Sequence, residues 1–84
     1  MPEVLVYTTR VCPYCVRAKQ LLTRKGVAFR EIDVSEDAAE RQSLVQRTGQ
    51  RTVPQIFIAG RSVGGCDDLY SLERSGELDR LLAE

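Results

Sequence analysis

One junction constrains this chain more than any other feature. Val4-Leu5-Val6-Tyr7-Thr8 is a β-branched, apolar run, and only Thr9-Arg10-Val11-Cys12 separates it from a segment opened by Pro13. In that segment, Pro13 to Lys25, the residues Cys15, Ala18, Leu21 and Leu22 recur at helical spacing. The first run reads as a buried strand and the second as one apolar face of a helix. Proline suits the first helical position, where its missing N–H costs nothing. Arg24 and Lys25 complement the negative end of the helix, and Gly26 stops it. A strand that feeds straight into a helix is the opening of a β-α-β unit, whose two strands run parallel.

The rest of the chain repeats the logic. Val27 to Val34 alternates, with Phe29, Ile32 and Val34 as its apolar members, and reads as a strand. Ser35 is placed to cap a second helix with Glu36 and Asp37 in its acidic first turn, running to about Arg47 or Thr48 and stopping at Gly49. Gln50 to Pro54 is a loop. Gln55 to Ile58 is a strand, Ala59-Gly60-Arg61 a tight turn and Ser62-Val63-Gly64 a short partner strand, which makes an antiparallel hairpin. From Cys66 onward Leu69, Leu72, Leu78, Leu81 and Leu82 form a helical stripe interrupted near Ser75-Gly76. The expected order is β-α-β-α-β-β-α: a single α/β domain over residues 1–84, with a four-stranded mixed sheet flanked by helices. Tyr7, Phe29, Phe57 and Tyr70 read as packing within it.

Composition excludes several kinds of function. At 84 residues the chain holds one domain with a thin core. Twelve basic residues balance twelve acidic ones and no basic block stands out, which argues against a nucleic-acid or anionic-membrane binder. There is no His, so neither a Ser-His-Asp triad, nor a Cys-His pair, nor a Cys/His zinc finger can be built. No apolar run approaches the ~20 residues of a membrane span. Met1-Pro2-Glu3-Val4 lacks the pattern of a secretory signal, and three Cys is an odd set for a secreted disulfide scaffold. A cytoplasmic, reducing location is expected, where a close Cys pair points to redox or metal chemistry.

Cys12-Pro13-Tyr14-Cys15 sits where such chemistry is favoured. A thiol at a helix N-terminus faces unsatisfied N–H groups and the positive end of the dipole, which bring thiol pKa values to about 3.5–7.5 against ~8.5 for a free Cys. Cys12, at the helix end, is expected to be exposed and nucleophilic. Cys15, one turn in, is the expected resolving thiol. Arg10 and Arg17 either add positive potential or are solvated. The pair is also half of a four-ligand zinc site, but Cys66 is alone and the other half is missing, so no metal is expected.

Three motifs in order carry a resemblance: Tyr7-Thr8 before Cys12-Pro13-Tyr14-Cys15, then Thr52-Val53-Pro54, then Gly64-Gly65-Cys66-Asp67-Asp68-Leu69. Together they resemble the dithiol glutaredoxins, in particular the small bacterial type, over nearly the whole chain. The resemblance implies a thioredoxin-like fold and a glutathione-dependent thiol–disulfide oxidoreductase. It implies Cys12 alone for protein–glutathione mixed disulfides, and Cys12 with Cys15 for protein disulfides. It implies a cis Pro54, with the Val53 backbone turned toward the cysteinyl part of glutathione; without it an ordinary trans proline is expected, since cis is only about 5–6% of X–Pro bonds.

The resemblance also implies the remaining contacts. Gly65, the backbone of Cys66, Asp67 and Asp68 face the γ-glutamyl end, although both Asp also complement a helix dipole. Tyr14 and Thr52 pack near the tripeptide. The glycyl carboxylate needs a cation. The position that commonly holds Lys in the family holds Thr9 here, so Arg51, which matches a family contact, and Arg41 or Arg10 are the substitutes. Cys66 is either a small packing residue, a backbone contact or an oxidation-sensitive thiol.

The expected partners are glutathione, as co-substrate, and glutathionylated or disulfide-containing proteins, with ribonucleotide reductase a family expectation, and the expected state is a monomer. Two other readings remain. One is a [2Fe–2S] carrier bridging two chains through Cys12 and two glutathiones, which Pro13 and Cys15 disfavour. The other is a thioredoxin-like electron donor served by a flavoprotein reductase. A domain that binds without turnover would show an ordinary thiol pKa at Cys12.

Overall fold

A computed structural model describes residues 2–83. The elements follow as β1 (Val4–Thr8), α1 (Pro13–Arg24), β2 (Arg30–Asp33), α2 (Ala38–Thr48), β3 (Gln55–Ile58), β4 (Arg61–Gly64), α3 (Cys66–Ser75) and α4 (Glu77–Ala83). The sheet order is β2-β1-β3-β4. β1 runs parallel to β2, with Val6 opposite Glu31, and antiparallel to β3, with Val6 opposite Ile56. β3 and β4 form the expected hairpin. Ala59 (φ 53°) and Gly60 (φ 79°) are both left-handed, as a two-residue connection between right-twisted strands demands.

Alternation along the strands divides the interior into two layers. Val4, Val6, Ile56 and Ile58 pack with Ala18, Leu21 and Leu22 of α1, Cys66 and Leu69 of α3, and Leu78 of α4. On the opposite face Tyr7 and Phe57 meet Val34 and Leu44, with Leu5 and Ile32 at the margin. The two rings meet edge to face at 5.6 Å. The Arg47 guanidinium of α2 lies over both, 5.4 Å from Tyr7 and 5.1 Å from Phe57, and is tethered by Glu40. The thinner layer is thus closed by a cation rather than by more hydrocarbon. At the far end of α1, Lys25 bonds Asp79 and Glu73, both at 2.7 Å, which joins α1 to α3 and α4. The Asp79 bond, then Glu73, raises the Lys25 pKa above its ordinary value.

Several boundaries differ from the sequence expectation: the single last helix is two, α3 and α4, separated at the left-handed Gly76, and β4 begins at Arg61 rather than Ser62. The second strand covers only Arg30–Asp33, because only those residues pair with β1. Val27 and Phe29 pack against the core outside it. Val34 follows it, fully buried, with its N–H donating to the Thr8 carbonyl at 2.9 Å. Ser35 does not cap α2. Asp37 does, accepting the Glu40 N–H at 3.0 Å. The Ser35 hydroxyl instead accepts the Arg10 N–H at 2.7 Å, and so holds the loop that leads to Cys12.

Candidate active site

Everything at the site is hung on the start of α1. Cys12 is the N-cap, in extended conformation, and Pro13 is the first helical residue. The Cys15 N–H points at the Cys12 sulfur, 3.1 Å away, so a helix-end donor that lacks an intrahelical acceptor is aimed at the sulfur. Cys12 and Cys15 are joined as a disulfide with their Cα atoms 5.2 Å apart. Cys12 is partly exposed while Cys15 is 1% exposed. Only one sulfur of the pair is open to an incoming molecule, which separates an attacking thiol from a resolving one. Val11 stands 90% exposed on the rim, and Tyr14 is half exposed with the Arg17 guanidinium 5.4 Å from its ring centre.

Beside this sulfur runs a groove of about 250 Å³. It is lined by Thr52, Val53 and Pro54 from the loop before β3, by Gly65, Cys66, Asp67 and Asp68 from the head of α3, and by Tyr14 and Gln50. The Val53–Pro54 peptide is cis. The Val53 carbonyl oxygen lies 3.6 Å from the Cys12 sulfur. Arg41 and Arg51 do not line this groove. They line an adjoining hollow of about 340 Å³ between α2 and the 50–53 loop, with Gln50, Thr52 and Val53 lining both. Thr9, Arg10 and Arg41 line a third concavity, again against Val53. Val53 is therefore common to the lining of all three recesses.

Charge is divided along this surface. Arg41 and Arg51 make no ion pair among the described residues, whereas Arg10 is held by Glu36 at 3.1 Å and is a poorer substitute cation. At the other end the Asp68 carboxylate accepts the Gly65 N–H at 3.0 Å, which caps α3. Asp68 is thereby a helix cap first, as its position in the sequence also allowed. Asp67 has no hydrogen bond among the described residues and faces the groove. Gly64 has φ 98°, and a Cβ there would run into the Asp68 carboxylate, so this turn accepts only glycine. Burial, and then the charge of Asp67, push the Cys66 thiol up, against a smaller opposing effect of Arg17. The Cys66 side chain is buried and its thiol is held toward the neutral form, as in a packing residue.

Two residues that sequence reasoning passed over belong here. Gln50 borders both the groove and the Arg41–Arg51 hollow. Gln55 lies buried behind the loop and bonds to it. The one available signal was a polar residue opening the otherwise apolar strand Gln55-Ile56-Phe57-Ile58.

Comparison with known proteins agrees with this geometry. Residues 4–63 match the glutaredoxin family model. A glutaredoxin of Pseudomonas aeruginosa is 57% identical over 83 residues, which is 99% of each chain. Glutaredoxin 3 of Escherichia coli is 52% identical over 82 residues, 98% of this chain and 99% of its own. Among solved structures, a buckwheat glutaredoxin–glutathione complex superposes with TM-score 0.92 at 35% identity, covering 98% of this chain and 77% of the other. The solution structure of a glutaredoxin from Brucella melitensis gives TM-score 0.89 at 55% identity, covering 98% and 89%. With its Cys12–Cys15 pair at the head of α1 and its thioredoxin-like sheet, this chain belongs to the glutaredoxin family of thiol–disulfide oxidoreductases.

Proposed function

We propose that the protein uses glutathione as its reductant, reducing protein–glutathione mixed disulfides through Cys12 and protein disulfides through Cys12 and Cys15. One observation carries the reading: a groove beside the Cys12 sulfur is lined by Asp67 and Asp68 and adjoins, across Gln50, Thr52 and Val53, a hollow lined by Arg41 and Arg51, which make no ion pair among the described residues. Glutathione has a matching polarity, with an ammonium and a carboxylate on its γ-glutamyl carbon and a second carboxylate on its glycine. Asp67 suits the ammonium, the N–H groups at the head of α3 suit the neighbouring carboxylate, and Arg41 and Arg51 suit the glycyl end. The Val53 backbone between them offers strand-like pairing to the cysteinyl residue. The buckwheat relative is described as a glutathione complex, which supports the same ligand.

In the first route the Cys12 thiolate attacks the glutathione sulfur of a mixed disulfide. The protein thiolate leaves and takes a proton, and Cys12 carries glutathione as a disulfide. The thiolate of a second glutathione attacks that bound glutathione sulfur, which releases oxidised glutathione and restores the Cys12 thiolate. In the second route Cys12 attacks a protein disulfide, and Cys15 then attacks the Cys12 sulfur. The substrate leaves as a dithiol and the Cys12–Cys15 disulfide remains. Two glutathiones reduce it, giving one oxidised glutathione. The protein partners in this reading are glutathionylated proteins and disulfide-bearing enzymes of the ribonucleotide reductase type, met by a monomer in a reducing cytoplasm.

The test is the reduction of the oxidised enzyme by glutathione alone. Reduction that saturates with glutathione, together with release of oxidised glutathione, supports the reading. Reduction only through a flavoprotein reductase would overturn it.

A further inference from the structure

We infer that Gln55 is a positioning residue of this site: its carboxamide fixes the Gln50–Val53 loop and so sets the affinity for the glutathione moiety, an inference that rests on the glutathione-dependent reading above. Gln55 opens β3 opposite Tyr7 and is 1% exposed, on the sheet face otherwise filled by Tyr7, Phe57 and Leu44. A carboxamide in such a layer is costly unless bonded. Its Nε2 donates to the Thr52 carbonyl at 2.9 Å and to Gln50 Oε1 at 3.0 Å, with Thr52 Oγ1 also within 3.3 Å. Its Oε1 is buried and has no donor among the described residues. Acceptors crowd the nitrogen and none of the surrounding groups serves the oxygen, so the amide has one orientation. An apolar side chain of the same size would fill this layer without stranding an acceptor. What Gln55 adds is the pair of bonds to the loop.

Those bonds end on groups that shape the site. Gln50 and Thr52 line the groove, and Val53, next to Thr52, brings its carbonyl to 3.6 Å from the Cys12 sulfur. Among the described residues the loop is also tied to Thr48, whose Oγ1 accepts the Gln50 N–H at 3.1 Å and lies 3.3 Å from the Gln50 carbonyl. Gln55 itself does not line any of the three recesses around Val53. It acts through the loop, on binding rather than on sulfur chemistry.

The experiment compares wild type with Gln55→Met, which keeps the length of the side chain and removes both bonds, on a glutathionylated peptide. KM should rise about tenfold while kcat stays within about twofold, since a lost buried hydrogen bond and a loosened loop weaken binding without touching the thiols. Backbone amide exchange at residues 50–53 should accelerate, with β1 and β3 unchanged. Gln50→Ala should move KM the same way by a smaller factor, and the double variant should be no worse than Gln55→Met, because both remove one interaction. A wild type that saturates with the peptide while Gln55→Met keeps its KM overturns the inference, whatever the exchange shows. If the wild type does not saturate, the glutathione reading fails. The exchange arm then decides the positioning role alone, and unchanged exchange overturns it. Should Gln55→Met not fold, Gln55→Leu, which removes the same bonds with another apolar side chain, carries the same decision.

Discussion

The backbone N–H of Cys15 is aimed at the sulfur of Cys12 across 3.1 Å, at the end of a helix that starts on Pro13. In the reduced enzyme that donor and the helix dipole both favour a Cys12 thiolate. Because the donor is main chain, it survives replacement of the Cys15 side chain. Alkylation rate against pH should give Cys12 a midpoint below the ~8.5 of a free thiol, and Cys15→Ser should keep it there. Cys15→Ser should also keep turnover of glutathionylated peptide, while Cys12→Ser has none. Cys66, whose thiol burial holds protonated, should stay unlabelled in the folded protein at neutral pH.

Arg41 and Arg51, without an ion pair among the described residues, line one hollow with Val53, and Thr9 supplies no charge to the neighbouring concavity. Removing either arginine should raise KM for a glutathionylated peptide about threefold, the scale of an exposed ion pair, with kcat unchanged. Thr9→Lys should lower KM by a similar factor. Raising ionic strength should shrink all three differences, because exposed charges are screened. A KM set that ignores salt would locate the anionic end of the substrate elsewhere.

Most of the fold was legible because strand and helix periods differ and the Cys pair marked a helix start. What was not legible depended on contacts between distant segments. Ser35 and Asp37 are equally good caps by residue type. Only the Arg10 N–H, reaching Ser35 across the fold, decides that Asp37 takes the role. Arg10 and Arg41 likewise look alike along the chain, but Glu36 pairs with Arg10, and Arg41 has no ion pair among the described residues. The alternating reading of Val27 to Val34 could not show that pairing with β1 begins only at Arg30. Gln55 was hidden for a related reason: its two acceptors lie in a loop whose path no local pattern reveals.

The two neighbouring acids at the head of α3 should separate by experiment. Asp68 caps the helix through the Gly65 N–H, so Asp68→Ala should lower stability by about 1 kcal/mol in urea denaturation. Asp67 makes no such bond, so Asp67→Ala should leave stability nearly unchanged and raise KM instead. Equal stability losses at both positions would remove Asp67 from the proposed ligand contacts.

Acid should loosen the strand that carries the site. The Glu31 carboxyl lies below its ordinary value of 4.5 chiefly because the Lys19 ammonium bonds it, which outweighs the opposing effect of burial, and the Thr8 hydroxyl adds a smaller lowering. Its pKa is therefore lower folded than unfolded. Below pH ~4.5 the unfolded chain takes up this proton first, so the contribution is complete above that value and is lost as pH falls through the folded pKa. Asp33, held low by its bonds from Ser35, acts in the same direction just below 3.8. Glu31→Gln should be less stable than wild type at pH 7 by a few tenths of a kcal/mol, as befits a partly exposed pair. The two proteins should converge as pH falls toward 3. Thr8 ends β1, at the entry to the Cys12 loop, so the same acid step should speed amide exchange there before the whole domain unfolds. Urea midpoints for both proteins across pH 3 to 7 decide the matter, and a gap between them that stays constant would show that Glu31 contributes by packing rather than by charge.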